Sequence, residues 1–418
     1  MKISKFEVVG LFDLYNHKLD FNGNKKISPE SEQASVIMIF GRNGIGKTTI
    51  LRMIEGLMTL DFDTFRNSKF KFACLSFSNG HKISVEPKFD ETTTNLSHMF
   101  VTYKELTVRL HPKTKGSLTT EDKEQETAFV KEYNKDLDKF SFEFIDTERL
   151  IRKNIREEML IEEASLKGKT IRKQKSEPNK YLVEKVKSFV RDSQINFSNY
   201  FTRTEPELFD RIISNLENKQ QIQDKDLLER VNTISKSEKE YKIDQLGLAK
   251  EKWDKKKLTD TIKDSKTDQN KLTIIASYLE VLESRNNERM SLAERLLTFE
   301  RLLNEFFLDK VISINSDGFT ITSTNRSQDV LNESQLSTGE YHLLYLTVLA
   351  LCTKVKGTVI AIDEPEMSMH IGWQRKLVQT LVQVSSKASP QMIFATHSPD
   401  IATNFSNSLI TEDYATKN

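Results

Sequence analysis

Gly41-Arg42-Asn43-Gly44-Ile45-Gly46-Lys47-Thr48-Thr49 is the stretch on which the reading of this chain turns. It matches G-x-x-x-x-G-K-[ST], and its setting gives the pattern a mechanism. Ala34–Phe40 before it reads as a short buried strand, and Ile50–Leu60 after it as a helix. Glycines let the backbone close around phosphates, and the amides at the helix N-terminus add donors and a positive dipole end. In that role Asn43, Gly44, Gly46 and Thr49 surround the phosphates of a nucleotide, Lys47 reaches the β- and γ-phosphates, and the Thr48 hydroxyl ligates Mg²⁺. A chain of this length meets the pattern by accident roughly one time in a hundred. The strand–loop–helix setting lowers that further.

Outward from the loop, the 418 residues exceed what one small core needs, so two lobes or a domain with a large insertion are expected. Hydrophobic residues at 37%, charged residues at 29% and a mean hydropathy of −0.51 describe a charge-rich chain rather than a membrane one. The apolar runs Val36–Phe40 and Leu343–Cys352 are too short to cross a bilayer. Met1-Lys2-Ile3-Ser4-Lys5 lacks the apolar region of a signal peptide. Cys74 and Cys352 cannot form a disulfide scaffold, so a reduced cytoplasm is the expected location. With 62 basic against 61 acidic residues, overall charge gives no argument for nucleic acid. Two local stretches do carry positive charge: Lys167, Lys169, Arg172, Lys173 and Lys175, then Lys250, Lys252, Lys255, Lys256 and Lys257. They read either as surfaces for DNA or an acidic protein or as solvated helix faces.

Glycine and proline, 14 and 8, are scarce, which predicts long helices. Between Ser117 and Asp317 the only breakers are Gly168, Pro178, Pro206 and Gly247. Leu292, Leu296, Phe299, Leu303 and Phe306 form one stripe on a helix expected over Leu272–Leu308. The ends of the chain differ. Strands are expected at Ile3–Leu11, Lys18–Phe21, Ser141–Ile145, Val311–Asn315, Phe319–Ser323, Thr358–Ile362 and Met392–Ala395. A hairpin joins Phe70–Phe77 to His81–Pro87 around Asn79-Gly80. The expected class is α/β, with residues 1–150 as an N-terminal lobe, 151–310 as a helical, coiled-coil-like insertion and 311–418 as a C-terminal lobe.

Three further motifs bear on chemistry. Thr358–Ile362 is an apolar strand that runs into Asp363-Glu364-Pro365-Glu366, at the end where open α/β sheets bind ligands. Asp363 suits the Mg²⁺ shell, directly or through water, and Glu364 a base or orienter for the attacking water, while the pair taken alone also reads as an acidic helix start. Leu336-Ser337-Thr338-Gly339-Glu340 reads on its own as a helix start, Ser337 capping and Glu340 three residues on. Ala395-Thr396-His397-Ser398-Pro399 follows the last buried strand, and a histidine such as His397 taken alone is more often structural than catalytic.

The four motifs in this order resemble those of ATP-binding-cassette ATPases. The resemblance implies a P-loop NTPase head with a helical insertion between its two lobes. It makes Ser337 and Gly339 the signature that grips the γ-phosphate held by another subunit, and His397 the switch histidine. Thr338 and Glu340 depart from the usual Leu-Ser-Gly-Gly-Gln. It also implies ATP-sandwiched head dimers and a larger homo-oligomer, a hexamer in some relatives.

Lys47 and Ser337 lie far apart with the helical middle between them, a layout similar to the SMC, RecF and OLD branch. Asp363-Glu364-Pro365-Glu366 with His370, and Thr396-His397-Ser398-Pro399, resemble the RecF and OLD forms. Arg149, in Asp146-Thr147-Glu148-Arg149-Leu150, resembles a strand-end element of OLD-like defence ATPases and reads equally as a surface arginine. Tyr15, His17 and Lys18 are weak candidates for the adenine side. Only about twenty residues follow His397, so no Toprim domain of the OLD kind is expected. The resemblance therefore points to bacterial anti-phage defence ATPases with a separate effector nuclease, of Toprim or HNH type. The AriA subunits of PARIS are the preferred likeness and the PtuA subunits of Septu the second. A phage-encoded trigger protein would be the signal. A RecF-like repair ATPase acting directly on DNA is the alternative.

Overall fold

The computed structural model describes residues 2–21, 35–90, 96–111, 120–137, 140–146, 181–217, 222–248, 253–264, 268–325, 328–353, 357–386, 388–403, 405, 409–410 and 415–417. Arg149 and the basic stretch Lys167–Lys175 lie outside them. The chain forms two compact units, one from Met1–Lys173 with Thr353–Asn418, the other from Gln174–Cys352. Composition placed the boundaries at 150 and 310. The second unit begins later and runs on through residue 352 because three strands and an apolar helix pack with the long helices.

The first unit holds two sheets. Strands β1 (Ile3–Leu11), β2 (Tyr15–Asp20), β4 (Phe72–Phe77), β5 (Lys82–Phe89), β6 (Leu96–Tyr103), β7 (Leu106–Leu110) and β15 (Ala415–Lys417) pair antiparallel in the order β15-β2-β1-β4-β5-β6-β7. β1 alternates buried and half-buried residues, the pattern of a strand with one face on a core. The Asn79-Gly80 hairpin forms as expected, with Gly80 at φ +87°. The second sheet is parallel, in the order β14-β3-β13-β12-β8: Leu409–Ile410, Ser35–Phe40, Gln391–Thr396, Val359–Asp363 and Phe142–Asp146. β12 and β13 are buried throughout, as strands covered on both faces must be. Helix α1 (Lys47–Thr59) fills the space between the sheets, and the short α2 (Asp63–Arg66) and α3 (Thr120–Leu137) follow it in chain order. Ile50, Leu51, Met53, Ile54 and Leu57 share one core with Phe6 and Val8 of β1, Ile37 of β3, Ala361 of β12 and Ile393 of β13.

The parallel register sets the site. Asp363 pairs with Asp146 on one side and Ala395 on the other, and Thr396 pairs with Phe40. The C-terminal ends of β8, β12, β13 and β3 therefore lie level, and the phosphate loop, the Asp363-Glu364 turn and the His397 segment leave from that edge.

The second unit contains α4 (Tyr181–Glu217), α5 (Asp224–Glu240), α6 (Lys255–Asp264), α7 (Gln269–Asn304), α8 (Thr338–Cys352) and the three-stranded sheet β11-β10-β9 (Val330–Leu331, Gly318–Ser323, Lys310–Asn315). The stripe Leu292, Leu296, Phe299, Leu303 and Phe306 is buried. α7 ends at Asn304 rather than at Leu308, which is 89% exposed. The reason is local. The Asn304 side chain accepts from the Ile312 amide at 2.8 Å and donates to its carbonyl at 2.9 Å, standing in as a strand partner for β9. Among the described residues no helix is long and apolar enough to cross a membrane.

Candidate active site

The loop between β3 and α1 needs its glycines. Gly44 and Gly46 sit at φ +89° and +94°, in the left-handed region that favours glycine. A Cβ on Gly46 would also stand 2.7 Å from Leu11 Cδ2, so this residue is fixed by close approach as well as by dihedral. Asn43 and Gly44 are exposed at the loop tip, and Thr48 and Thr49 are half-buried in the first turn of α1. Lys47 is buried, and its Nζ donates to the carbonyls of Gly41 at 2.8 Å and Arg42 at 2.9 Å. The loop thus curls around its own ammonium group. From β2, His17 holds the loop at Ile45, Nε2 lying 2.9 Å from the carbonyl oxygen. A carbonyl can only accept, so the proton is on Nε2. Burial lowers the His17 pKa against the opposing pull of this hydrogen bond, which favours the neutral ring. His17 is a clamp on the phosphate loop, not a free face toward a base. Lys18 lies beside it in β2, opposite Glu7 of β1.

Asp363 closes β12 beside this loop. It is buried, the Thr48 hydroxyl bonds its carboxylate, and Oδ1 has no partner among the described residues. Burial is the largest cause that pushes its pKa up to about 6, and the nearby charges of Glu364 and Asp146 add to it. The Thr48 hydrogen bond and Lys47 work against the rise. Asp146 is itself bound by Arg52 of α1 at 2.6 Å, which ties the end of β8 to the helix that follows the phosphate loop. A buried carboxylate oxygen without a partner, next to a hydroxyl, is a hard-oxygen donor set that fits Mg²⁺. No group of three or more His, Cys, Asp or Glu suited to a metal occurs among the described residues. Such a cation would complete its shell from phosphate and water.

Glu364 follows at φ +47°, unusual for a residue with a side chain, and its amide donates to Ala395 O at 2.8 Å. That bond locks the turn against β13. His397 leaves β13 at the same level, with Nδ1 3.6 Å from Glu364 Oε1 and 3.3 Å from Glu366 Oε1. Glu366 is buried, and one of its oxygens organises the whole turn. Oε1 accepts from Thr396 Oγ1 at 2.6 Å, the His397 amide at 3.0 Å and the Ser398 amide at 3.1 Å. Neither this role of Glu366 nor the Arg52–Asp146 pair was read from the sequence. The strand-end Asp-Glu-Pro-Glu run was the only available signal for Glu366.

The structure thus brings Lys47, Thr48, Asp363, Glu364 and His397 to one edge of the parallel sheet. Ser337 and Gly339 belong to the other compact unit. There Ser337 caps α8: its amide donates to Glu340 Oε2 at 2.7 Å, and its Oγ accepts from the Glu340 amide at 3.4 Å. Lys310 of β9 donates to Glu340 Oε1 at 2.7 Å. Burial works to raise the Glu340 pKa, but the Lys310 and Ser337 hydrogen bonds outweigh it and hold the carboxylate below its ordinary value. Glutamate at this position makes a capping box and an ion pair at once.

With that geometry in view, comparison with known proteins gives the family. The model of the AAA ATPase domain family matches residues 1–402. The chain belongs to that family. This AAA ATPase domain protein has no match among curated proteins. Solved structures similar to it include an Smc head domain with an extended coiled coil bound to the C-terminal domain of ScpA, from Pyrococcus furiosus. That one shows 12% identity, 97% of this chain and 92% of that one covered, and a TM-score of 0.39. An SmcHead bound to the C-winged helix domain of ScpA matches at 12% identity, with 100% and 98% covered and a TM-score of 0.41. The SMC head domain from Thermotoga maritima matches at 12% identity, with 97% and 92% covered and a TM-score of 0.34.

Proposed function

We propose that this AAA ATPase domain protein is a Mg²⁺-dependent ATPase of the ATP-binding-cassette type whose catalytic sites are shared between subunits. The observation that carries the reading is the buried Oδ1 of Asp363, without a partner among the described residues, beside Thr48 and Lys47, with Glu364 and His397 on the adjoining strand ends. The amides of the phosphate loop and Lys47 bind the β- and γ-phosphates, and ATP replaces the loop carbonyls as the partner of the ammonium group. Thr48 and Asp363 would hold Mg²⁺, which when bound offsets charge on the phosphate oxygens. Glu364 takes a proton from water as the water oxygen bonds to the γ-phosphorus and the bond to the β–γ bridging oxygen breaks, releasing ADP and phosphate. His397, with Nδ1 held between Glu364 and Glu366, turns Nε2 to the γ-phosphate. Ser337 and Gly339 of a second subunit complete the site.

The test is mixing. Lys47→Ala and Ser337→Arg subunits are each inactive alone. Together they form head pairs with one intact site, and ATPase activity returns. Proven mixing without rescue rules the shared site out.

The motif order and the helical unit support a further reading. The protein would be a homo-oligomeric scaffold of an anti-phage defence complex that holds a separate effector nuclease and releases it on a phage signal. Pull-down from native cells with mass spectrometry tests this. A nuclease retained with ATP and Glu364→Gln supports it, whereas salt-sensitive binding of duplex DNA with no protein partner favours the RecF-like alternative.

A further inference from the structure

The segment that leads into the signature is built more tightly than a loop requires. Asn332 and Gln335 form one capping box, the Asn332 amide donating to Gln335 Oε1 at 2.8 Å, and Ser337 with Glu340 forms the next. Inside the first box, directly after Asn332, stands Glu333, 3% exposed. Its side chain takes no part in either box. It reaches across to the start of α4, where Oε1 accepts from the amides of Leu182 at 2.9 Å and Val183 at 3.0 Å. These are two of the first-turn donors that a helix cannot satisfy within itself. A residue about 150 positions away along the chain therefore caps α4, four residues before the signature serine.

Oε2 of Glu333 is buried without a partner among the described residues. Burial pushes its carboxyl up to about 7, against the pull of the two amides. A carboxyl held this way is costly for a cap, since an asparagine or serine in α4 itself would serve the amides at less expense. The contact is thus better explained by what it joins than by α4 stability. At its far side the same segment is tied to β9 through Lys310 and Glu340. The first turn of α4 also meets the β9–β10 turn, where a Cβ on Gly318 would lie 2.6 Å from Val183 O. The signature serine is thus held between α4 and β9.

We propose that Glu333 is a positioning residue for the signature: it fixes Ser337 and Gly339 to the first turn of α4, so that displacement of α4 withdraws the half-site this subunit offers to its neighbour. The proposal rests on the shared-site reading above. It implies that loss of Glu333 harms only the site to which this subunit contributes its signature, and leaves its own phosphate loop competent.

The experiment uses the full-length chain. Glu333→Ala leaves ATP affinity within about twofold of wild type and lowers turnover roughly tenfold, the loss expected when a buried acceptor is removed from two amides. Glu333→Gln, which keeps an acceptor oxygen, restores turnover. Mixed with Lys47→Ala subunits, Glu333→Ala regains activity just as Ser337→Arg does. If Glu333→Ala does not fold, as judged by its melting transition, Val183→Pro decides. It removes one donor from the α4 side, in a first turn where proline is tolerated, and gives the same rescuable defect. Wild-type turnover in Glu333→Ala overturns the proposal. So does a defect that Lys47→Ala cannot rescue while the Ser337→Arg pair is rescued. Failure of both pairs refutes the shared site itself.

Discussion

Asp363→Asn stabilises the metal-free protein while abolishing its catalysis. The carboxyl pKa rises from 3.8 to about 6 on folding, chiefly through burial. A group whose folded pKa is raised is favoured in its protonated form. Its ionisation therefore opposes folding above the folded value, and the penalty disappears as pH falls through the unfolded value. The rise of about two pKa units corresponds to ~3 kcal/mol above pH 7, and to roughly half of that at pH 5. Asparagine removes the charge, keeps the shape and still pairs with the Thr48 hydroxyl. Thermal melts in EDTA should place Asp363→Asn about 5–10 °C above wild type at pH 8, with the gain about halved at pH 5. Mg²⁺ with ATP then raises the wild-type transition more than that of the variant, because only the wild type has the charge that the cation satisfies. A variant no more stable than wild type at pH 8, or equally stabilised at both pH values, refutes the claim that a buried carboxylate is held there for a cation.

Lys47→Ala abolishes ATP binding measured by calorimetry, whereas Glu364→Gln retains binding and loses hydrolysis in a phosphate-release assay. Glu366→Ala removes the acceptor shared by the Thr396 hydroxyl and the His397 and Ser398 amides, leaving the Ser398 amide only Thr396 Oγ1. It costs about 3–5 kcal/mol in denaturant melts and lowers turnover, and Glu366→Gln recovers most of the stability. His17→Phe removes the donor to Ile45 O and loosens the phosphate loop from β2. KM for ATP should rise roughly tenfold in steady-state assays while kcat changes little.

The phosphate loop, the strands at its level and the acidic strand end were legible in sequence because each is continuous. Six or so residues of one pattern suffice to name them. Helix α3 (Thr120–Leu137) is not legible, since the residues that pack on the core, Phe129, Tyr133, Leu137 and the half-buried Val130, stand in a segment that is otherwise mostly charged and polar. The strands β6 and β7 are not legible because each is short and half polar: Met99, Val101 and Tyr103 alternate inward, but Ser97, His98 and Thr102, then Thr107 and Arg109, break up the apolar pattern. Helix Ile371–Val384 was also left unread, its start set by the His370 side chain, which accepts from the Gly372 amide. In the site, Lys47, Asp363 and Glu364 follow from residue type and position. Glu366 and His17 act through partners 30 and 28 residues distant in the chain, and such pairings are not written in any local pattern.

The strand order of the parallel sheet has a consequence for biosynthesis. Strand β3, Ser-Val-Ile-Met-Ile-Phe, lies between β14 and β13, both made near the end of the chain. About 350 residues are translated between β3 and its first partner, so at ~5–20 residues per second the strand waits roughly 20–70 seconds on the ribosome. Throughout that interval this apolar strand can pack on β1 and α1 but has no native strand partner for its backbone. Expression yield should therefore depend on chaperones that shield nascent strands, and slowing translation before β13 should lower the soluble fraction.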